Sequence, residues 1–590
     1  MTFRHYRDLD PTFADRSQWA LPTVLRHHAA ERGDAIWLDA PEEGATWTYA
    51  QMLAAGEAVG RSFLAAGARQ GDRVVLVAAN SSRFVRTWIG TAMAGLVEVP
   101  INTAYEHDFL AHQVGTVEAR LAVIDDVFAE RFVAIAGAAK DITKFWVIDT
   151  GSQDKAIAVL REHGWQAAAW DELEKPVEGV DLPVVRPQDL ASVLFTSGTT
   201  GPSKGVAMPH AQMYFFADEC VSLVRLTADD TWMALTPLFH GNAQFMAAYP
   251  TLVAGARFVV RSRFSASRWI DQIRESRVTV TNFIGVMMDF VWKQDRREND
   301  ADNPLRCVFA APTASSIVGP MKERYGIEAF VEVFGLTETS APIISPYGED
   351  RPAGAAGLAA VDWFDVELVN PENDEPVAVG EVGELVIRPK VPFISSMGYF
   401  NMPDKTVEVW RNLWFHTGDA LRRDEDGWFY FVDRFKDALR RRGENISSYE
   451  IETSVLAHPG VVETAVIAVP ASTEAGEDEV MAYVILAEGA DLTPEELWEH
   501  CDGRIPSFAV PRFLRFVDDL PKTPPSGCRR PSFVSSVSRR TPTTVRRPAD
   551  VHPYRTVLFV PRTSRSGRRR RPRPAPTAWS STWRTRSRAI

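Results

Sequence analysis

The chain reads as an α/β protein in which a large N-terminal domain of α/β subdomains, with a small β-barrel-like subdomain, is followed by a small mobile α/β C-terminal domain. Three observations predict this. From about residue 45, amphipathic helical stretches alternate with short β-branched apolar runs. Between about residues 355 and 432 the pattern shortens to alternating strands, and beyond FVDRFKDALRRRGENIS a fresh α/β pattern begins. At 590 residues the chain also exceeds the roughly 100–200 residues of one domain.

In chain order, AQMLAAGEAVGRSFLAAG reads as a helix, DRVVLVAA as a buried strand and RFVRTWIGTAMAGL as a second helix. The rhythm returns at LAVIDD, KFWVID, ASVLFTS, ARFVVRS and TVTNFIG, runs bounded by turn residues as in parallel strands with crossover helices. DVELVN and GELVIRP, with turns at GEVGE and DEDGW, predict the barrel-like subdomain. The last unit carries a helix over 448–460, strands over 463–469 and 479–486, and a helix over 493–505. The expected boundaries are 1–433 for the large domain, 434–437 for a hinge, 438–527 for the small domain and 528–590 for an atypical tail. No internal repeat is present.

Composition is that of an ordinary soluble protein, 45% hydrophobic and 24% charged. The N-terminus lacks the pattern of a secretory signal and no run of about 18 apolar residues follows, so a cytoplasmic location without a membrane span is expected. Four scattered cysteines, Cys220, Cys307, Cys501 and Cys528, form no CxxC pair and give no support to a zinc site or disulfide framework. Charge is uneven. Residues 529–590 hold 17 arginines, no lysine and one acid, Asp550, a net +16 that leaves −28 for the rest of a chain totalling −12.

The chemistry concentrates where strand ASVLFTS enters Thr196, Ser197, Gly198, Thr199, Thr200, Gly201, Pro202, Ser203, Lys204 and Gly205. Glycines let backbone N–H groups approach anionic oxygens, hydroxyls add donors and Lys204 adds charge, so the loop suits phosphates. It is not the common P-loop, because Lys204 follows Ser203 and precedes Gly205. Taken alone, such a segment is equally a flexible linker. In this order, after a buried strand and before the helix-like HAQMYFFADEC, it resembles the signature loop of the adenylate-forming superfamily, which comprises acyl-CoA synthetases, luciferases and nonribosomal adenylation domains.

Further segments resemble that superfamily in the same order. Phe334-Gly335-Leu336-Thr337-Glu338-Thr339 is similar to its adenine and magnesium motif. The resemblance implies Phe334 on adenine, with Gly335 beside it, Thr337 on the α-phosphate and Glu338 on Mg2+. Trp414-Phe415-His416-Thr417-Gly418-Asp419 resembles the block whose Asp, here Asp419, accepts from the ribose hydroxyls, as a carboxylate can. Ala310-Ala311-Pro312 stands where the adenine-binding loop belongs, so Ala311 and Pro312 are carried over without its usual glycine pair. Asp433-Arg434-Phe435-Lys436-Asp437 resembles the domain junction, with Arg434 on ribose or phosphates, Lys436 as hinge and Gly443 lining the channel for coenzyme A. Asp433 and RRRGENIS match the carnitine and crotonobetaine CoA ligase branch, and the whole resemblance covers about residues 20–527.

The implied reaction is ATP-dependent adenylation of a small-molecule carboxylic acid followed by transfer to CoA, an acid–thiol ligation of the kind used in fatty acid metabolism. Adenylation turns a carboxylate into an acylating agent by giving it a good leaving group. Lys204, Thr337 and Glu338 are the expected catalytic residues, acting by electrostatics in a preorganised site. Thr236-Pro237-Leu238-Phe239-His240-Gly241-Asn242 resembles the acyl-pocket segment, with His240 at the place of an aromatic gate, while a packed histidine without chemistry is an equal reading. Phe283 and Gly285 are expected to face the same pocket. His240-Gly241-Asn242-Ala243 offers no aspartate for a substrate ammonium, which argues against an amino acid and for an aliphatic or similar organic acid.

The end departs from the family pattern. Superfamily members close on Pro-Lys-Thr, a small residue, Gly and a catalytic Lys, whereas here Pro521-Lys522-Thr523-Pro524-Pro525-Ser526-Gly527-Cys528 carries one extra residue and cysteine for lysine. Arg529 differs from lysine in length and geometry. The Arg/Ser/Pro-rich text beyond suits a basic arm, but lysine vanishes together with the family pattern, which favours a shifted reading frame in GC-rich DNA and a disordered tail. No specific nucleic-acid partner is therefore expected. A non-catalytic relative and one loading a carrier protein are the alternatives, and a homo-oligomer stays open.

Overall fold

The computed structural model describes residues 3–528 except 104, 106, 197–202, 285–286, 312, 314, 435–438, 442–443, 447, 471–477, 503–504, 506–509, 521 and 524–526, together with Val545–Arg546. Two seven-stranded sheets dominate. One runs in the order Gln166–Ala169, Lys144–Ile148, Leu121–Asp125, Arg73–Val77, Val97–Pro100, Leu190–Thr196, Lys204–Pro209. The other runs Ala329–Val331, Cys307–Ala311, Val280–Ile284, Thr231–Ala234, Arg257–Val260, Ile36–Ala40, Ala45–Thr48. In each, every neighbour pair is parallel except the last, an antiparallel edge hairpin.

Strand alternation explains the layering. Val74 and Leu76 of the first sheet, and Trp232 and Ala234 of the second, enter one shared core. Their alternates Val75 and Val77, and Met233, enter separate outer cores. Helix His210–Val224 is apolar around most of its girth and is buried in the shared core, with Tyr214 stacked on Trp19 at 5.0 Å between ring centroids.

The barrel-like expectation for 355–432 is met by an antiparallel sheet that begins earlier, at Val333–Leu336 and Ser340–Ile344, and continues through Ala355–Ala359, Phe429–Arg434, Trp414–Arg423, Val382–Pro389 and Phe364–Val369. The phosphate-loop region departs from expectation in one respect. A strand, Lys204–Pro209, antiparallel to Leu190–Thr196, stands between Ser203 and the helix, where the sequence reading passes straight from the loop to the helix.

The C-terminal unit pairs Val461–Pro470, Asp478–Leu486 and Phe513–Phe516. Helices Ser448–Leu456 and Pro494–Cys501 pack on it through Val455, Leu497, Trp498 and Cys501. Thr493 and Glu496 form a reciprocal capping box at the second helix. From the arginine-rich tail, Val545–Arg546 adds a short antiparallel strand beside Phe513–Phe516, a place the expectation of a disordered tail did not provide. The thiols of Cys220, Cys307 and Cys501 are buried.

Candidate active site

A cleft of about 550 Å³ opens where the loop hairpin, the 333–344 hairpin and strand Trp414–Arg423 meet. Its walls include Thr196, Lys204, His240, Gly335, Thr337, Glu338 and Asp419, residues scattered over more than 220 positions of sequence and brought together by the fold. Ser197, Gly198, Thr199, Thr200, Gly201, Gly285, Pro312, Lys436 and Gly443 lie outside the described residues. Ala311 ends strand Cys307–Ala311. Arg434 lies in cross-strand register with Asp419.

The 334–340 turn is shaped by close packing. Gly335 sits at a register shift between Val333–Leu336 and Ser340–Ile344, where an added Cβ would stand 2.1 Å from the Ser340 carbonyl oxygen. Only glycine fits that approach. Helix His210–Val224 braces the turn from behind: Gln212 Nε2 donates to the Thr337 carbonyl at 2.8 Å, and the Ala341 N–H donates to Glu219 Oε2 at 3.0 Å. Glu219 is fully buried, and burial holds its carboxyl well above the usual range. These two helix residues carry no recognisable motif and were invisible in the sequence.

Glu338 is 8% exposed and its Oε1 accepts a hydrogen bond from Tyr399 at 2.8 Å. Lys204 Nζ stands 4.9 Å from the centroid of the same tyrosine ring. At the base of the loop, Gln113 Nε2 donates to Ser203 Oγ at 3.1 Å and His112 Nε2 bonds the Ser203 carbonyl at 2.8 Å.

Glu384, which also lines the cleft, holds residues 416–419 of strand Trp414–Arg423. Its Oε1 accepts from the Gly418 N–H at 3.0 Å, and its Oε2 lies 2.9 Å from His416 Nδ1. Asp419, 3% exposed, follows directly. Glu384 belongs to GELVIRP, read from sequence only as a strand.

His240 Nδ1 accepts from the Asn242 N–H at 3.1 Å, and burial pushes its pKa down to about 4. The imidazole is therefore neutral, with its proton on Nε2. A buried amide network fixes the 236–242 segment: Thr236 Oγ1 donates to Asn242 Oδ1 at 3.0 Å, Asn282 Nδ2 bonds the same oxygen, and Trp232 Nε1 donates to Asn282 Oδ1 at 3.3 Å.

One expected placement is not found. Phe283 is 1% exposed and packs on Trp269 at 5.4 Å in an outer core, because strand alternation turns it away and gives the inner face to Asn282. Phe334 is half-buried, and its ring stacks on Phe431 at 6.1 Å between centroids.

Comparison with known proteins agrees with this geometry. The AMP-binding enzyme model matches residues 25–400, and the AMP-binding enzyme C-terminal domain model matches residues 450–526. Crotonobetaine/carnitine–CoA ligase of Escherichia coli O157:H7 (strain EC4115 / EHEC) is 31% identical over 474 residues, 78% of this chain and 87% of that protein. The protein of the same name from Salmonella typhimurium (strain LT2) is 29% identical over 484 residues, 81% and 90%. ATP-bound MatB from Rhodopseudomonas palustris superposes with a TM-score of 0.74 at 25% identity, covering 88% of this chain and 99% of that one. The anthranilate CoA ligase AuaEII, in complex with anthranoyl-AMP, shares the fold with a TM-score of 0.76 at 23% identity and 88% and 97% coverage. No helix among the described residues is long and apolar enough to cross a membrane. The chain belongs to the AMP-binding enzyme family, as an acid–thiol ligase of the adenylate-forming type.

Proposed function

We propose that in the cleft the carboxylate of an aliphatic or similar organic acid attacks the α-phosphorus of ATP, releasing pyrophosphate, and that the thiol of CoA then takes the acyl group from the acyl-adenylate, releasing AMP. The observation that supports this reading best is the convergence of Lys204, Thr337, Glu338 and Asp419 on one cleft. Lys204 would neutralise the charge that gathers on the phosphates as the carboxylate attacks the α-phosphorus, Thr337 would hydrogen-bond the α-phosphate, and Asp419 would accept from the ribose hydroxyls. In the same reading Arg434, which pairs with Asp419 across the strands, would contact ribose or phosphate.

The residues fit Mg2+. A single carboxylate, Glu338, with the Thr337 hydroxyl beside a phosphate loop, is a donor set for an ion that takes one or two carboxylates plus substrate phosphates. No cluster of three or more His, Cys, Asp or Glu that would form an all-protein cage occurs among the described residues. When bound, the ion would supply positive charge to the polyphosphate.

The acid enters past His240. Phe239 and a neutral His240 line this part of the cleft without a carboxylate, which suits an acid without an ammonium group. In the same reading, the unit beyond residue 434 turns about Lys436 and brings Gly443 to the thiol channel, and loss of lysine at Cys528 impairs adenylation more than thioester formation. Its location is the cytoplasm.

The test is thioester formation, followed by mass, with ATP, Mg2+, CoA and a panel of aliphatic, aromatic, cationic and amino acids. Acyl-CoA from an uncharged acid is expected. Turnover only with amino acids, or only with a loaded carrier protein in place of CoA, would overturn the reading.

A further inference from the structure

Tyr399 lies outside every motif described so far, yet its side chain touches both of the residues expected to handle the phosphates. Its ring lies under Lys204 Nζ at 4.9 Å and its hydroxyl donates to Glu338 Oε1 at 2.8 Å. Tyr399 is 7% exposed, and a phenol is a hydrogen-bond donor to a carboxylate oxygen.

The backbone around it explains the placement. Residues 397–400 run along strand Lys204–Pro209: Ala207 N–H donates to the Gly398 carbonyl at 2.9 Å, Met397 N–H to the Ala207 carbonyl at 2.8 Å, and Phe400 N–H to the Gly205 carbonyl at 2.7 Å. The same segment grips the other motif, with Ser396 N–H on the Glu338 carbonyl at 2.8 Å and Ser340 Oγ on the Ile394 carbonyl at 3.0 Å. Helix Pro403–Val409 anchors it, since the Tyr399 N–H donates to Thr406 Oγ1 at 2.9 Å. Gly398 at φ 109° gives the turn a conformation that L side chains rarely adopt.

We infer that Tyr399 is a positioning residue that couples Lys204 to Glu338, setting the ammonium through its ring and the carboxylate through its hydroxyl, so that both meet the triphosphate in a fixed relation. The inference rests on the proposed function, because it gives the pair a shared ligand. The two contacts are separable: Tyr399→Phe keeps the ring and removes the hydroxyl, and Tyr399→Leu removes both.

The experiment is calorimetric titration of the full chain with ATP, with and without Mg2+, on the parent and both variants, with thermal unfolding as a check on folding. Tyr399→Phe should weaken ATP binding about 10-fold in Mg2+ and change it less than about 2-fold without Mg2+, the scale of one hydrogen bond to a charged group. Tyr399→Leu should lose a further factor of about 3 to 10 in both conditions, the scale of a cation–π contact. Equal losses in the two variants, or losses independent of Mg2+ in Tyr399→Phe, would overturn the inference. So would parent-like binding in both. A parent chain that fails to bind ATP would instead overturn the proposed function on which it rests.

Discussion

The two seven-stranded sheets share one plan, parallel strands closed at one edge by an antiparallel hairpin, yet their edge hairpins do different work. The hairpin Ile36–Ala40 to Ala45–Thr48 turns through Pro41-Glu42-Glu43-Gly44, with Gly44 at φ 63°. Its Glu43 carboxylate accepts the Ser82 N–H at 2.7 Å and also bonds the Ser82 hydroxyl, which ties down the start of helix Ser82–Met93. The hairpin Leu190–Thr196 to Lys204–Pro209 turns through the Ser/Thr/Gly loop and ends on Lys204 in the cleft. One edge carries an anion for internal capping, the other a lysine that lines the cleft. Topology is common to both, so in the proposed reading the difference in function resides in loop chemistry.

The sharpest way to break that comparison is to remove the charge from each edge. In a Cys528→Lys background, Lys204→Ala should lower acid-dependent adenylation about 10²–10³-fold, as expected when a preorganised electrostatic group is deleted. Glu43→Ala should leave adenylation within about 2-fold and cost about 1 kcal/mol in urea unfolding, the scale of a lost cap. Comparable activity losses in both would mean that the second hairpin also serves the cleft.

Next in size is Gly335→Ala. The added Cβ meets the Ser340 carbonyl at 2.1 Å, so overpacking should cost about 1–3 kcal/mol in urea unfolding and displace Thr337 and Glu338. Gln212→Leu should reduce the rate of adenylation about 10-fold, with a smaller effect on stability, by leaving the Thr337 carbonyl without its donor. Gln212→Asn, unable to reach, should resemble it.

The smallest effect is one of pH. Glu98 is 1% exposed, and burial raises its pKa from 4.5 to about 8, although Gln244 Nε2 donates to both its oxygens. A carboxyl whose folded pKa lies above its unfolded value contributes stability that is full below about 4.5 and lost as pH rises through about 8. Glu98→Gln should flatten urea-unfolding stability between pH 5 and about 8.5 relative to the parent. An unchanged slope would show that Glu98 does not titrate in this window.

Much of this was legible in the sequence. The parallel strands announced themselves as β-branched runs because both faces of each sheet are covered, and the ordered motifs brought Lys204, Thr337, Glu338 and Asp419 to notice before any geometry was known. What stayed hidden depends on register and on contacts between distant segments. The alternation of strand Val280–Ile284 gives the inner face to Asn282, a one-residue difference from the expected Phe283. Tyr399 stands in a loop with no periodicity, and its importance arises only when residues 397–400 lie along strand Lys204–Pro209. Gln212 and Glu219 sit among apolar helix neighbours, where one sequence shows buried polar groups but not what they hold.

The central claim is that this cleft makes an acyl-adenylate, and the end of the chain offers the most direct test. The C-terminal domain match stops at residue 526, two positions before Cys528, the residue that the resemblance sets in the place of the superfamily's lysine. Pyrophosphate release should be measured with ATP, Mg2+, CoA and a panel of carboxylic acids on the parent chain and on Cys528→Lys. The account predicts acid-dependent release that is weak in the parent and at least about 10² times faster in Cys528→Lys, the scale of one restored electrostatic group. Equal release in both chains would contradict the role assigned to position 528, and no acid-dependent release from either would contradict the central claim.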